Sequence, residues 1–283
     1  MTTTSSWVLS LSCPDRPGIV HAVSGAIASV GGNITESQQF GAADTGRFFM
    51  RVELDAVATE PEMREVLAPV ADQFAMQWSL DASGRRMRTI VMVSKAEHCL
   101  GDLLYRERAH TLPIEIVAVV GNHGALKDLA AFYGKPFVHI PVSPDSKADA
   151  EAALLAMVED LDVELVVLAR YMQILSPALS DALRGRAINI HHSFLPSFKG
   201  ARPYFQAHDR GVKLIGATAH YVTSDLDEGP IIEQDVERVD HAHSPDVLTA
   251  IGADVERRAL ARAVRWHAEH RVLLDGHRTI VFK

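Results

Sequence analysis

Basic charge is what this 283-residue sequence has too little of. Its 28 lysines and arginines stand against 36 aspartates and glutamates, a formal net charge of -8 at pH 7. A nucleic-acid partner needs a basic stripe to pair with phosphates, and no such stripe is present, which argues against that class. Cysteine is scarce as well. Cys13 and Cys99 lie far apart without C-x-x-C spacing, which argues against a disulfide framework and fits two small buried thiols in a reducing compartment. No apolar run has the length to span a bilayer. Residues Met1 to Ser6 lack the basic start and apolar core of a signal peptide, so the expectation is a cytoplasmic protein without a membrane partner. The remaining composition, 47% hydrophobic and 23% charged, is that of a globular protein. The length is comfortable for two domains.

What is present divides in two. A strand-like run at Trp7–Ser12 leads into Cys13-Pro-Asp-Arg-Pro-Gly18, after which Ile19, Val20, Val23, Ile27 and Val30 recur at helical spacing. Pro17 suits the first turn of that helix, and Gly31-Gly32 ends it. Strands over Ile34–Phe40 and Arg47–Leu54, a helix near Glu60–Gln73 and a strand near Met76–Leu80 complete a βαββαβ order. That order predicts a ferredoxin-like sandwich over residues 1–82. Residues 83–88, polar and arginine-rich with Gly84 just inside, read as a linker. From 89 to 283 the pattern becomes α/β. Apolar runs such as Ile116-Val-Ala-Val-Val120 alternate with helical stretches, the mark of a mostly parallel, Rossmann-like sheet buried on both faces. A long helix over Ser244–His270 and a short hairpin through Asp275-Gly276 follow.

The chemistry concentrates in Ala187–Gly200, Ala-Ile-Asn-Ile-His-His-Ser-Phe-Leu-Pro-Ser-Phe-Lys-Gly. In a strand, Asn189 and His191 point the same way because side chains alternate faces. They would sit at the end of the fifth parallel strand, where ligands of open α/β sheets bind. An amide donor beside an imidazole suits attack on a carbonyl: one stabilises the oxyanion, the other moves the proton. Asp227, in Ser224-Asp-Leu-Asp-Glu-Gly-Pro230, supplies a carboxylate to orient the imidazole. Each group taken singly also has a plain structural use, Asn189 as a backbone partner and Asp225 and Asp227 as turn residues before Gly229. A zinc site built from His191, His192 and His220 is the rival use of the histidines. No H-E-x-x-H helix and no cysteine at ligand spacing supports it, and adjacent His191 and His192 should face opposite ways. The expectation is no metal and no cofactor.

These strings, with His220 upstream of the acidic loop, resemble the folate-dependent formyltransferase superfamily. The resemblance implies that Asn189, His191 and Asp227 are catalytic, with His220 supporting the acidic residue. It implies folate contacts from Met172, Gln173, Ile174 and Leu175, and from Thr223, Ser224, Asp225 and Leu226. It also implies a cis peptide before Pro196. The segment Ser94-Lys-Ala-Glu-His-Cys-Leu-Gly101 lacks the glycine-rich loop that a phosphate-bearing acceptor needs, and Glu97 would repel a phosphate. It resembles instead the formyltetrahydrofolate deformylase family, as do Val120-Gly-Asn-His123 and the ending Arg271–Gly276. Water is then the acceptor. The expected reaction is hydrolysis of 10-formyltetrahydrofolate to formate and tetrahydrofolate, in one-carbon metabolism and formate supply for purine synthesis. The alternatives are formyl transfer to an amine such as glycinamide ribonucleotide, and a non-catalytic regulator that binds folate or an amino acid.

In the first unit, Pro14–Val20 and Gly31-Gly-Asn-Ile34 resemble the ACT family of small-molecule-binding domains. The helix start offers unpaired N–H groups to a carboxylate. The resemblance implies an amino-acid effector held by Asp15, Gly18, Ile19, Val20 and Asn33, and a homo-oligomer formed by edge-to-edge pairing. The same residues also make a simple turn and cap that only starts a helix.

Overall fold

The computed structural model describes residues 4–192 and 203–283, and the chain divides into two units. One holds the residues up to Arg85 together with Glu269–Lys283; the other is Arg86–Ala268. The final fifteen residues therefore join the smaller unit, whereas the sequence assigns everything from 89 onward to one domain. The connector is also shorter than expected, because Met87 and Arg88 already lie in a strand.

The smaller unit runs β1 (Ser5–Pro14), α1 (Ile19–Ser29), β2 (Asn33–Ala42), β3 (Arg47–Ala56), α2 (Glu60–Phe74) and β4 (Gln77–Ala82). Its antiparallel sheet has the order β2-β3-β1-β4, the ferredoxin-like arrangement. The helix α1 starts at Ile19, with Gly18 as its cap at φ +98°, so Pro17 precedes the helix instead of opening it. A left-handed position is one that glycine takes at no steric cost. Thr59 and Glu62 cap α2 reciprocally, with the Thr59 N–H donating to the Glu62 carboxylate at 2.7 Å. Ile19, Val23 and Ile27 of α1 and Met63, Leu67 and Phe74 of α2 cover one face of the sheet.

Alternation along β3 explains its burial on both faces. Phe48, Met50, Val52 and Leu54 point into the helical layer. Phe49 and Arg51 point the other way, to the C-terminal segment. There β12 (Val272–Asp275) and β13 (Arg278–Val281) form the expected hairpin. Phe49 packs with Phe282, Leu273 and Ile280. Arg51, only 2% exposed, donates to the Glu269 carbonyl from Nε at 3.2 Å and to the Glu53 carboxylate at 2.6 Å.

The larger unit runs β5 (Met87–Val93), α3 (His98–Arg108), β6 (Ile114–Gly121), α4 (Lys127–Phe132), β7 (Phe137–His139) and α5 (Lys147–Asp160). It continues with β8 (Leu165–Leu168), α6 (Pro177–Ala182), β9 (Ala187–His191), α7 (Pro203–Asp209), β10 (Leu214–Tyr221), β11 (Ile231–Arg238) and α8 (Pro245–Ala268). The seven-stranded sheet has the order β11-β10-β9-β8-β5-β6-β7. Pairing is parallel from β7 to β9, as the apolar runs predict, and β5, β6 and β8 are largely buried on both faces. β10 and β11 join antiparallel at one edge. The reading by apolar runs did not include them as part of the sheet. β10 is built on small residues, Gly216, Ala217 and Ala219, which give little of a strand's usual apolar signal.

Candidate active site

The register of β10 on β9 brings the polar groups together. His220 lies directly opposite Asn189, and Thr218 opposite His191. Along β9, Ile188 and Ile190 are buried while Asn189 and His191 are half-buried, so the two polar side chains share the open face. The Nδ1 of His220 lies 2.9 Å from the Tyr221 carbonyl, an oxygen that only accepts, which puts the proton on Nδ1. The Nε2 of His220 is then an acceptor for the Asn189 amide, 3.3 Å away. One Nδ2–H of Asn189 is thus taken up, and among the described residues its second N–H has no acceptor and can serve as a donor.

Asp227 completes the arrangement. Its Oδ2 lies 3.2 Å from Nδ1 of His191 and its Oδ1 lies 3.7 Å from Nε2 of His220. The sequence assigns His220 to support of the acidic residue; by distance its nearer partner is Asn189. Burial alone would raise the Asp227 carboxyl, but the hydrogen bond from His191, with the His220 imidazole beside it, holds it well below the usual carboxylate range. It is ionised at neutral pH. With Nδ1 of His191 directed at Asp227, Nε2 is the free nitrogen; it is buried and has no partner among the described residues.

The loop that delivers Asp227 follows β10. It returns so closely that a Cβ on Gly229 would lie 1.7 Å from the Tyr221 carbonyl oxygen, so only glycine fits there. Asp227 itself has φ +57°, and Arg170, after β8, has φ +63°. Non-glycine residues in this region carry strain of order 1 kcal/mol or more, which the surroundings must hold in place.

These groups open onto a cleft of about 810 Å³ at the carboxyl ends of the strands. The loop after β8 supplies Met172, Gln173, Ile174 and Leu175 to its wall, and the loop after β10 supplies Thr223, Ser224, Asp225 and Leu226. Met172, Ile174 and Leu226 are each nearly 60% exposed, an apolar lining suited to a flat ring. Ser94, at the end of β5, pins the first loop by accepting the Met172 N–H at 2.9 Å. The proline of the expected cis peptide, Pro196, lies outside the described residues.

Further polar groups to which the sequence reading gives no catalytic or binding role line the same cleft: His98, Arg170, His192, Tyr204 and Glu256. His192 does not face away from His191; both border the cleft, their ring centroids 5.1 Å apart, because β9 ends at His191 and the alternation stops there. Burial, then the Arg170 charge, pushes the His192 imidazole down to about 4. Of these, His98 stands in the loop string after β5, and His192 in the string that carries His191, where the sequence offers it only as a rival metal ligand. Glu256 on a long charged helix looks like a solvated position, yet it is 1% exposed.

A metal needs deprotonated donors with free lone pairs. Sidechain ligand atoms of His98, Cys99 and Glu256 come within 4.8 Å of one another. Burial holds the Cys99 thiol well above its ordinary value, and the Arg170 guanidinium lies 3.4 Å from Glu256. That chemistry does not suit a cation.

In the smaller unit, the effector candidates surround the start of α1. The Ile19 side chain belongs to the core, so only its backbone N–H is available, while Val20 is 40% exposed. Asp15 lies beside β2, its carboxylate 3.1 Å from where a Cβ of Gly41 would stand, and Asn33 is exposed at the start of that strand.

Comparison with known proteins matches both units. A formyl transferase family profile matches residues 87–264, and an ACT domain profile matches residues 7–71. A formyltetrahydrofolate deformylase of Corynebacterium sp. (strain P-1) is 51% identical over 98% of both chains. One of Bacillus subtilis (strain 168) is 48% identical over 97% of this chain and 93% of its own. The crystal structure of a formyltetrahydrofolate deformylase from Burkholderia mallei superposes with a TM-score of 0.96 at 51% identity, covering 99% of this chain and all of the other. A glycinamide ribonucleotide transformylase from Symbiobacterium toebii reaches a TM-score of 0.66 at 30% identity over 72% of this chain. It covers 98% of its own length, so its likeness leaves more than a quarter of this chain unmatched. Matched along nearly its whole length and in both domains, the chain belongs to the formyltetrahydrofolate deformylase family.

Proposed function

We propose that Asn189, His191 and Asp227 are the reacting end of a site that hydrolyses 10-formyltetrahydrofolate to formate and tetrahydrofolate. The hydrolysis itself is the activity of the family to which the chain belongs, and transfer to an amine is not favoured by relatives this close. The assignment of residues rests on one observation above all: the short chain of contacts from His220 through Asn189 and from Asp227 to His191 at the mouth of one cleft.

The chemistry follows from that geometry. The formyl oxygen accepts the free N–H of Asn189, which strengthens as negative charge develops there. Nε2 of His191 takes a proton from the attacking water, and ionised Asp227 stabilises the imidazolium that forms. The water oxygen bonds to the formyl carbon. His191 then gives its proton to N10 as the carbon–nitrogen bond breaks, releasing tetrahydrofolate and formate. No metal is required by this sequence of steps. The pterin lies against the loops 172–175 and 223–226, whose exposed apolar side chains favour it. Replacing Asn189 by Ala should lower kcat by ~100-fold or more. Turnover close to that of the unaltered enzyme, followed as tetrahydrofolate release without any acceptor, would refute the assignment.

For the ACT domain the reading is an amino-acid effector held by Asp15, Asn33 and the N–H groups at Gly18, Ile19 and Val20, in a homo-oligomer paired through sheet edges. β2 and β4 are the edges of its sheet. We assign residues up to 82 to this regulatory domain and the stretch from 89 to catalysis, with residues 269–283 belonging structurally to the former. A cytoplasmic setting suits the two free thiols. Millimolar amino acids should shift the activity or the melting temperature; no shift with any of the twenty would remove the sensing role.

A further inference from the structure

The cleft lining divides by element. One part comes from the loops after β8 and β10 and holds the groups proposed for folate. The other comes from the start of α3, His192 just after β9, α7 and one face of α8, and the steps above make no use of it. Its centre is Glu256. Both oxygens of this buried carboxylate are engaged: Oε1 accepts from the Tyr204 hydroxyl at 2.7 Å, and Oε2 lies 2.8 Å from Nε2 of His98 and 3.4 Å from Nε of Arg170.

The cluster is built, not incidental. Thr249, Ala253 and Glu256 follow at helical spacing, so α8 turns one face to the cleft. Gly252 lies on that side too, where a Cβ would fall 2.2 Å from the Tyr204 hydroxyl. Glycine is thus what admits the phenol to Glu256. Burying a carboxylate is costly unless its oxygens are satisfied, and here they are.

We infer that Glu256, His98 and Tyr204 form the nucleophile-side wall of the cleft and decide that water, and not an amine, attacks the formyl carbon. An amine acceptor brings N–H donors, and a carboxylate near the reacting carbon holds them best, through charge-assisted hydrogen bonds. Of the carboxylates lining the cleft, Asp225 and Asp227 lie on the acidic loop, and Glu256 alone faces from the other elements. With its oxygens taken, no carboxylate among the described residues is left on that side to hold an amine. Water is small enough to need none. If the wall is opened, a primary amine R–NH2 can attack: a new carbon–nitrogen bond forms, the bond to N10 breaks, and the amine proton passes to N10, giving R–NH–CHO and tetrahydrofolate.

The inference rests on Asn189, His191 and Asp227 being the reacting end, and one experiment separates the two. The full-length enzyme is given 10-formyltetrahydrofolate with glycinamide in excess, and formate and N-formylglycinamide are quantified by NMR. Tyr204→Phe keeps the ring over Gly252 while freeing one Glu256 oxygen, and His98→Ala opens space at the other. Both should raise the ratio of N-formylglycinamide to formate by about tenfold or more. A total rate that falls with the ratio unchanged in Tyr204→Phe, checked as folded by circular dichroism, overturns the wall even if His98→Ala does not fold. Asn189→Ala should depress both products together. Should it retain full hydrolysis, the fault lies with the reacting end and not with the wall.

Discussion

Oδ2 of Asp227 stands 3.2 Å from Nδ1 of His191, and the carboxylate reaches that point from a left-handed backbone position at φ +57°. The loop is held there by the close passage of Gly229 under the Tyr221 carbonyl and by the Tyr221 N–H, which donates to the Pro230 carbonyl at 2.9 Å. The carboxylate–imidazole pair is therefore in place before any substrate arrives. Such preorganisation removes the reorganisation cost from the chemical step.

Asp227→Asn keeps the shape of the side chain and removes its charge. The imidazolium of His191 then loses its counterion, and the tautomer of the ring is no longer fixed. We expect kcat to fall by about 10³-fold or more with KM little changed, measured by initial rates of tetrahydrofolate formation. A proportionate rise in KM with kcat preserved would move Asp227 from chemistry to binding.

His220→Ala should act through Asn189. Without the acceptor at Nε2, the Asn189 amide can rotate away from the formyl oxygen. The loss in kcat should be smaller than the ~100-fold expected for removing the donor itself. The double variant His220→Ala/Asn189→Ala should be no slower than Asn189→Ala alone, the non-additivity of two residues acting as one unit.

Gly229→Ala tests the loop. The added methyl meets the Tyr221 carbonyl at 1.7 Å, so the backbone must move. A cost of about 1–3 kcal/mol in stability is expected by chemical denaturation, together with a larger loss of activity than that destabilisation explains. Equal activity at saturating substrate would show that the loop tolerates displacement.

His192 gives a pH signature. Its folded value, about 4, lies below the free value of 6.5. Between the two, the unfolded chain binds a proton that the folded chain does not, so stability falls as pH drops through that window. Asp227 is shifted the same way but from a free value of 3.8, so its contribution persists until pH falls below the ordinary carboxylate range. Urea midpoints at pH 7 and pH 4.5 should therefore differ less in His192→Asn than in the unaltered protein. Parallel slopes would mean the imidazole is solvated.

Arg51→Ala removes a buried cation that grips the Glu269 carbonyl and Glu53. Breaking such a buried network costs about 3–5 kcal/mol. Hydrogen exchange should show the gain in opening concentrated in residues 269–283 and β3.

Much of this was legible because the relevant signals were local or periodic. The buried parallel strands announced themselves by runs of Val and Ile, and Asn189 and His191 by two-residue spacing on one of them. The meeting of His220 with Asn189 could not be read that way. It depends on the register of an antiparallel strand whose small residues give no pattern. Arg51 and Glu256 were illegible for a different reason: a charged residue in a helix or strand reads as solvent-facing unless its burying partner, distant in sequence, is already known. The place of the C-terminal hairpin was missed likewise. Leu273, Ile280 and Phe282 show that it packs on something, without showing that Phe49 is the partner.

That hairpin has a consequence for biosynthesis. The smaller unit draws on residues up to Arg85 and on Glu269–Lys283, so the second face of β3 stays uncovered while nearly two hundred intervening residues are made. Its maturation must wait for Phe282, and a nascent chain halted earlier would display Phe49 and the Arg51 side chain to quality control.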